Sequence, residues 1–190
     1  MLLLASASQR RTELLSLINI KHQVVNQEFD ESSIKIKDPI LCSQELVRGK
    51  NKSAKSLLNN SQTNYALLTS DTLVFSPSRE IIGKPKNNEH NTKMLEEFSG
   101  KTHSVFSSVM VSFKGRELIK TCKTLVTFKE LESKEINEYV ESGAGVGKAG
   151  GYGIHGPAGM FISKIEGSYT NVVGLPVHET YEILKELKAL

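Results

Sequence analysis

The chain reads as an α/β domain built on a mixed sheet. Short apolar runs suited to strands alternate with amphipathic stretches suited to helices. No internal repeat, low-complexity tail or Pro/Gly/Ser linker interrupts the alternation. Lys114-Gly115-Arg116, between two β-rich runs, adds a hairpin to the strand–helix–strand connections, so the sheet is mixed.

The elements follow in order. Leu2 to Ala5 is a strand that runs into Ser6-Ala7-Ser8-Gln9-Arg10-Arg11 and a helix from Thr12 to Ile18, with Ser8 as its N-cap. His22 to Asn26 is the next strand. Asp38-Pro39 supplies an N-cap and a proline in the first helical position, opening a helix to Leu58 that Asn59-Asn60-Ser61 ends. Tyr65 to Phe75 is a strand closed by Ser76-Pro77-Ser78, and Asn88 to Phe98 a helix stopped by Ser99-Gly100. Val105, Val109, Val111 and Phe113 keep a period of two, which predicts a strand over His103 to Phe113, its hairpin partner spanning Glu117 to Phe128. Ser133 to Ser142 is a helix with Ile136, Tyr139 and Val140 on one face and Gly143 at its end. A glycine-rich loop leads to a strand over Met160 to Ile165. The last helix starts at Pro176, with Val177, Tyr181, Leu184 and Leu187 facing inward.

A length of 190 residues suits one domain, or one domain with two lobes. The net charge of +3 permits an anionic small molecule without demanding nucleic acid, which calls for a dense basic stripe. Met1-Leu2-Leu3-Leu4 lacks the basic start and length of a signal peptide, and no run approaches the roughly 20 apolar residues of a membrane span. Cys42 and Cys122 form neither a CxxC motif nor a zinc spacing with the histidines, so they read as reduced thiols of a cytosolic protein.

Four features point toward chemistry. The small residues of Ser6-Ala7-Ser8, at a helix start and followed by Arg10 and Arg11, suit phosphate oxygens; an ordinary capped helix with two solvated arginines is the alternative. Asp71 lies in the apolar run from Ala66 to Phe75, where a carboxylate must be paired, protonated or metal-bound unless the strand ends at Ser70. Lys50 falls on the inward stripe marked by Leu46, Val47, Ala54 and Leu57, where it either snorkels to solvent or meets phosphate. Eight of the 14 glycines crowd into the 17 residues from Gly143 to Gly159. Gly145-Val-Gly147-Lys-Ala-Gly150 satisfies GxGxxG but follows a helix instead of a strand, which excludes a dinucleotide fold. A Walker loop fails because Ser142 and Ala149 stand at its required positions. Tyr152, Ile154 and Pro157 mark the loop as ordered.

Together these segments resemble the Maf family of nucleoside triphosphate pyrophosphatases. Leu4-Ala5-Ser6-Ala7-Ser8-Gln9-Arg10-Arg11 is similar to its opening LASxSPRR motif, Phe29-Asp30-Glu31 to its acidic pair and Lys50 to its helical lysine. Ser70-Asp71-Thr72-Leu73-Val74 resembles its DTxV strand, followed by Gly83-Lys84-Pro85, and Ser99 to Val105 its SGxxHxV segment. Lys148-Ala149-Gly150-Gly151-Tyr152-Gly153-Ile154 and Gly167 to Pro176 match its two late motifs. Three departures stand out: Gln9 for the usual proline, Gly147 for an acidic residue, and His155 for the glutamine of the thymidine/uridine branch, which Arg10 and Thr72 still fit.

The resemblance implies an elongated α/β fold like that of inosine triphosphate pyrophosphatase, with a curved mixed sheet flanked by helices and two lobes around a central cleft, as one domain over residues 1–190. It implies hydrolysis of dTTP, UTP or a modified nucleotide to the monophosphate and pyrophosphate, a housecleaning role in the cytoplasm and a link to restraint of cell division. Asp71 is then the catalytic base. Asp71 and Glu31 hold a divalent cation, magnesium or else manganese. Ser6, Arg10, Arg11, Lys50, Lys84 and Lys148 bind the triphosphate, and Thr72 and His155 choose the base. A nucleoside triphosphate is the expected partner, without nucleic acid or membrane, and the chain admits a homodimer. Gly147 also leaves room for a catalytically weakened nucleotide-binding regulator. A nucleic-acid-binding protein lacks the stacking aromatics such a surface needs near its arginines.

Overall fold

A computed structural model describes residues 1–59, 62 and 64–190, which fold as two compact units. The first comprises Met1–Thr72, Ser107–Cys122 and Gly174–Leu190; the second comprises Leu73–Phe106 and Lys123–Val173. Seven strands form one mixed sheet in the order β2-β1-β3-β5-β6-β7, with β4 paired to β3. They are β1 (Leu2–Ala5), β2 (His22–Val25), β3 (Ala66–Phe75), β4 (Ile81–Ile82), β5 (Thr102–Phe113), β6 (Arg116–Phe128) and β7 (Ile162–Glu166).

In the first unit β1 pairs in parallel with both β2 and β3, Leu2 lying opposite His22 on one side and Ala66 on the other. A parallel pair needs a crossover, and α1 (Gln9–Leu17) and α2 (Pro39–Leu57) supply the two. Leu3, Leu4, Leu67 and Leu68 are almost wholly buried. Each such side chain contributes roughly 1.5–3 kcal/mol on burial, which is how a four-residue strand can anchor the unit. The Asp38 carboxylate caps α2 by accepting the Leu41 N–H at 2.8 Å. That helix ends at Leu57, which is exposed, so the inward stripe stops at Ala54. Asn60 and Ser61, read as part of the stop signal, lie outside the described residues. In the last helix, α6 (Val177–Glu186), Thr180, Ile183 and Leu184 are buried while Tyr181 is exposed. Thr180 accepts burial because its hydroxyl donates to the Pro176 carbonyl.

The second unit packs α3 (Asn88–Phe98) and α4 (Ser133–Glu141) over a core that includes Phe98, Phe128, Tyr152 and Phe161. β5 is buried on both faces along nearly its whole length, where a period of two predicted one buried face. In the hairpin, Lys114 (φ 49°) and Gly115 (φ 75°) both take the positive φ of a type I′ turn. β7 begins at Ile162, not Met160, because Pro157–Phe161 forms a 3₁₀ turn that buries Ala158 and Phe161. Sequence reading missed α5 (Tyr169–Val173), which is a single short turn. Asn171 holds it, donating at 3.0 Å to the Val105 carbonyl and at 2.8 Å to the Thr124 hydroxyl.

Within this core the His103 ring stacks on Phe98 at 4.3 Å, and its Nε2 shares a 2.7 Å hydrogen bond with the Tyr152 hydroxyl. Burial pushes the His103 pKa from 6.5 down to about 4. Between those values the unfolded chain takes up a proton that the native imidazole refuses. Stability from this site is therefore complete above pH 6.5 and drains away as the pH falls toward 4. The loss should approach roughly 3 kcal/mol. Urea unfolding from pH 7 to 4 should show a shallower decline in a His103→Phe/Tyr152→Phe double variant, which removes both polar partners together.

Candidate active site

The turn after β1 is organised by Ser6. Its Oγ accepts the Ser8 N–H at 3.2 Å and an Arg11 guanidinium N–H at 2.9 Å. Ser8 occupies the N-cap position of α1, but its hydroxyl makes no capping bond, so the predicted side-chain cap is not made. The helix starts at Gln9, earlier than Thr12. In that first position a backbone N–H has no helical partner, so glutamine serves where the resemblance expects proline.

Arg11 is a strap. Its Nε donates to the Gly174 carbonyl at 2.8 Å, and the same carbonyl accepts the Thr72 hydroxyl at 3.2 Å. Thr72 also shares a 2.8 Å hydrogen bond with Ser107. Burial lowers the Arg11 pKa, with Asp71 the main opposing influence; the guanidinium remains charged. Arg10, half-buried beside it, makes no hydrogen bond or ion pair with a described residue. The adjacent arginines thus differ: one is committed to the fold, the other is available.

Lys50, on α2, meets Asp71 of β3. The lysine and the aspartate are each 6% exposed, and Nζ lies 2.5 Å from Asp71 Oδ1. A second carboxylate, Glu31 Oε1, is 2.9 Å from the same ammonium. Lys50 therefore neither snorkels nor stands free, and β3 continues through Asp71 to Phe75. Glu31 reaches this point through Phe29, whose ring lies against Gly49: a Cβ on Gly49 would fall 2.3 Å from Phe29 Cζ. Asp30, the other half of the acidic pair, is used locally. Its carboxylate accepts the Ser32 N–H at 2.9 Å and caps the turn Glu31–Ser33, and these bonds hold its pKa below the ordinary value.

Asp71 and Glu31 already share one cation, the ammonium of Lys50, so their oxygens converge on a point suited to positive charge. Among the described residues no group of three or more His, Cys, Asp or Glu side chains gathers around such a point. Two carboxylates fit magnesium, which takes one or two from protein and completes its shell with phosphate oxygens and water.

Lys84, Lys148 and His155 belong to the second unit. The Gly150 N–H donates to the Gly83 carbonyl at 2.9 Å, tying the glycine-rich loop to the segment that carries the exposed Lys84. Gly151 (φ 70°) admits no side chain, since a Cβ there would meet Asn91 Oδ1 at 1.9 Å. Lys148 donates to the Ala144 carbonyl at 2.5 Å. A Cβ on Gly153 would lie 2.8 Å from the Lys148 stem and 3.0 Å from His155 Cε1, so this glycine lets both side chains approach its α-carbon. Tyr152 and Ile154 are buried, in keeping with an ordered loop, whereas Pro157 is exposed. Gly147 has φ 72° with open space around it. Sequence reasoning missed Ser107, the Gly174 carbonyl and the Phe29–Gly49 contact; a glycine inside α2, next to Lys50, was the visible signal for the last.

A family model described as "Maf-like protein" matches residues 1–187. A Chromobacterium violaceum protein named dTTP/UTP pyrophosphatase is 41% identical over 184 residues, 96% of this chain and 92% of that one. A Treponema denticola protein of the same name is 43% identical over 194 residues, 97% of this chain and 96% of that one. Likeness to the solved Staphylococcus aureus Ham1 protein is slight, at TM-score 0.46 and 13% identity over 67% of this chain and 71% of that chain.

The two arginines should separate experimentally. Arg11→Lys loses the fork that joins Ser6 to Gly174 and should cost about 1.5–3 kcal/mol in urea unfolding, the range for hydrogen bonds to a charged group. Arg10→Lys should stay within about 0.5 kcal/mol of the parent protein, as surface substitutions do.

Proposed function

The chain belongs to the Maf family, and on that premise we propose that it hydrolyses dTTP, UTP or a modified nucleotide to the monophosphate and pyrophosphate. One observation carries the chemistry: a carboxylate inside a strand, Asp71, sits against a lysine and a second carboxylate at the end of the arginine-bearing turn. Burial of such a charge is costly unless it is used or paired.

In this reading Asp71 orients a water and takes its proton as the oxygen attacks phosphorus. The anhydride bond between the α- and β-phosphates breaks, and pyrophosphate leaves. Arg10, Lys84 and Lys148 balance the charge on the phosphates, while Ser6 and Arg11 shape the turn that receives them. When bound, a divalent cation, magnesium by preference, supplies charge neutralisation at the phosphate oxygens, with Asp71 and Glu31 as its protein ligands. Thr72 and His155 are the residues proposed to meet the base. The cytoplasm, with its nucleotide pool, is the proposed location. The thiols of Cys42 and Cys122 accord with it, and no described helix is long and apolar enough to cross a membrane.

The products test the reading. Incubation of dTTP with the protein and magnesium should release pyrophosphate and monophosphate; diphosphate plus orthophosphate would point to an ordinary phosphatase. Asp71→Asn should lower turnover by roughly 10²–10⁴-fold, the usual contribution of a general base, while nucleotide binding persists. A near-native rate would remove Asp71 from that role.

His155 generates a second test. Neutral imidazole offers one donor and one acceptor on a rigid ring, where a glutamine amide offers both with a different reach. The ratio of kcat/KM for dTTP over a purine triphosphate should therefore differ between the parent protein and His155→Gln. Coincident ratios would exclude His155 from reading the base.

A further inference from the structure

The Lys50 ammonium occupies the point on which the two proposed metal-binding carboxylates converge. It lies 2.5 Å from Asp71 Oδ1 and 2.9 Å from Glu31 Oε1, and its side chain is 7% exposed. A divalent cation ligated by those oxygens at about 2.0–2.1 Å, the distance magnesium requires, would stand beside an ammonium already in contact with both. Two cations cannot share that space without strong repulsion. Neither can the site stand empty without cost, since Asp71 is buried and needs a counter-charge.

We propose that Lys50 is an exchangeable counter-cation: it holds Asp71 and Glu31 together in the metal-free protein and leaves them when a divalent ion binds. The inference rests on the pyrophosphatase reading for its metal, and on the Lys50–Asp71 and Lys50–Glu31 contacts for the exchange. Lysine suits the task because its ammonium is a compact point charge on a flexible four-carbon stem, where arginine would present a broader, fixed fork. A triphosphate supplies the displaced ammonium with new anionic partners. Metal and nucleotide are therefore coupled through one side chain: each makes binding of the other easier, and metal alone must compete with Lys50.

The test uses Mn²⁺ as the probe on nucleotide-free protein, with free Mn²⁺ read by electron paramagnetic resonance and unfolding followed thermally. Lys50→Met keeps the stem and removes the competing charge. It should bind Mn²⁺ at least about tenfold more tightly than the parent, the lower end of coupling between close charges. It should also unfold at a lower temperature without metal and recover with Mn²⁺. Unchanged or weaker Mn²⁺ affinity overturns the proposal. Should Lys50→Met fold poorly, the polar but uncharged Lys50→Gln gives the same comparison: Mn²⁺ binding tighter than the parent's supports the exchange, and unchanged or weaker affinity overturns it. Product analysis of the parent with dTTP separates the two levels. Pyrophosphate release with no gain in Mn²⁺ affinity on removing the charge sinks only the exchange. Absence of both pyrophosphate release and Mn²⁺ binding sinks the proposed function itself.

Discussion

A carboxylate buried in a β-strand must have a cation, and much of the first unit is arranged to provide one. Asp71 lies in β3, flanked by residues packed into the sheet, and cannot reach bulk water by itself. The cation comes from α2, whose register against the sheet is fixed by Leu46, Val47 and Ala54. Those apolar contacts spend hydrophobic free energy to hold an ammonium where solvation would not place it. Glu31, from a turn before the helix, shares the same charge. Three separate segments thus agree on a single point of positive potential, and the parallel pairing of β1 with β3 carries the Ser6–Arg11 turn alongside.

The adjacent arginines show how a fold divides labour between like residues. Arg11 joins the first turn of α1 to the carbonyl preceding the C-terminal helix, more than 160 positions away in sequence. Such a long-range hydrogen bond makes the turn after β1 depend on the end of the chain having docked. Thr72 converges on the same carbonyl from the strand that carries Asp71. In the second unit the corresponding polar investment is the His103–Tyr152 pair, enclosed by Phe98 and Phe128. It pairs two large side chains within an aromatic core, leaves the buried His103 Nδ1 without a hydrogen-bond partner among the described residues, and gives a histidine that resists protonation.

Much of this was legible in the sequence, for identifiable reasons. Asp38-Pro39, Asn88 and Lys114-Gly115 are local signals, so they located element boundaries to within a residue or so. Lys50 and Asp71 were conspicuous because each breaks an apolar stripe. Their pairing was not legible, because nothing in periodicity says which residue of a helix meets which residue of a strand. The short α5 escaped notice for a similar reason: it depends on Asn171 bonding across to β5 and β6, and not on any helical propensity of Tyr169–Val173. Tyr181 was misplaced because helical spacing marks a face without showing where its edge falls; Thr180, with a hydroxyl that can bond its own helix, occupies the buried position.

Gly49 turns a small fact of packing into a constraint on how the protein can change. In the interior of a helix, glycine gives up about 1 kcal/mol relative to alanine, so the position looks like an obvious target for thermostabilisation. The ring of Phe29 rests where a methyl group would have to go. Any larger residue would have to displace that ring, which sits two positions before Glu31. A gain in helix propensity would then be traded against the seating of Phe29, so selection for heat tolerance at this position has two sides to weigh.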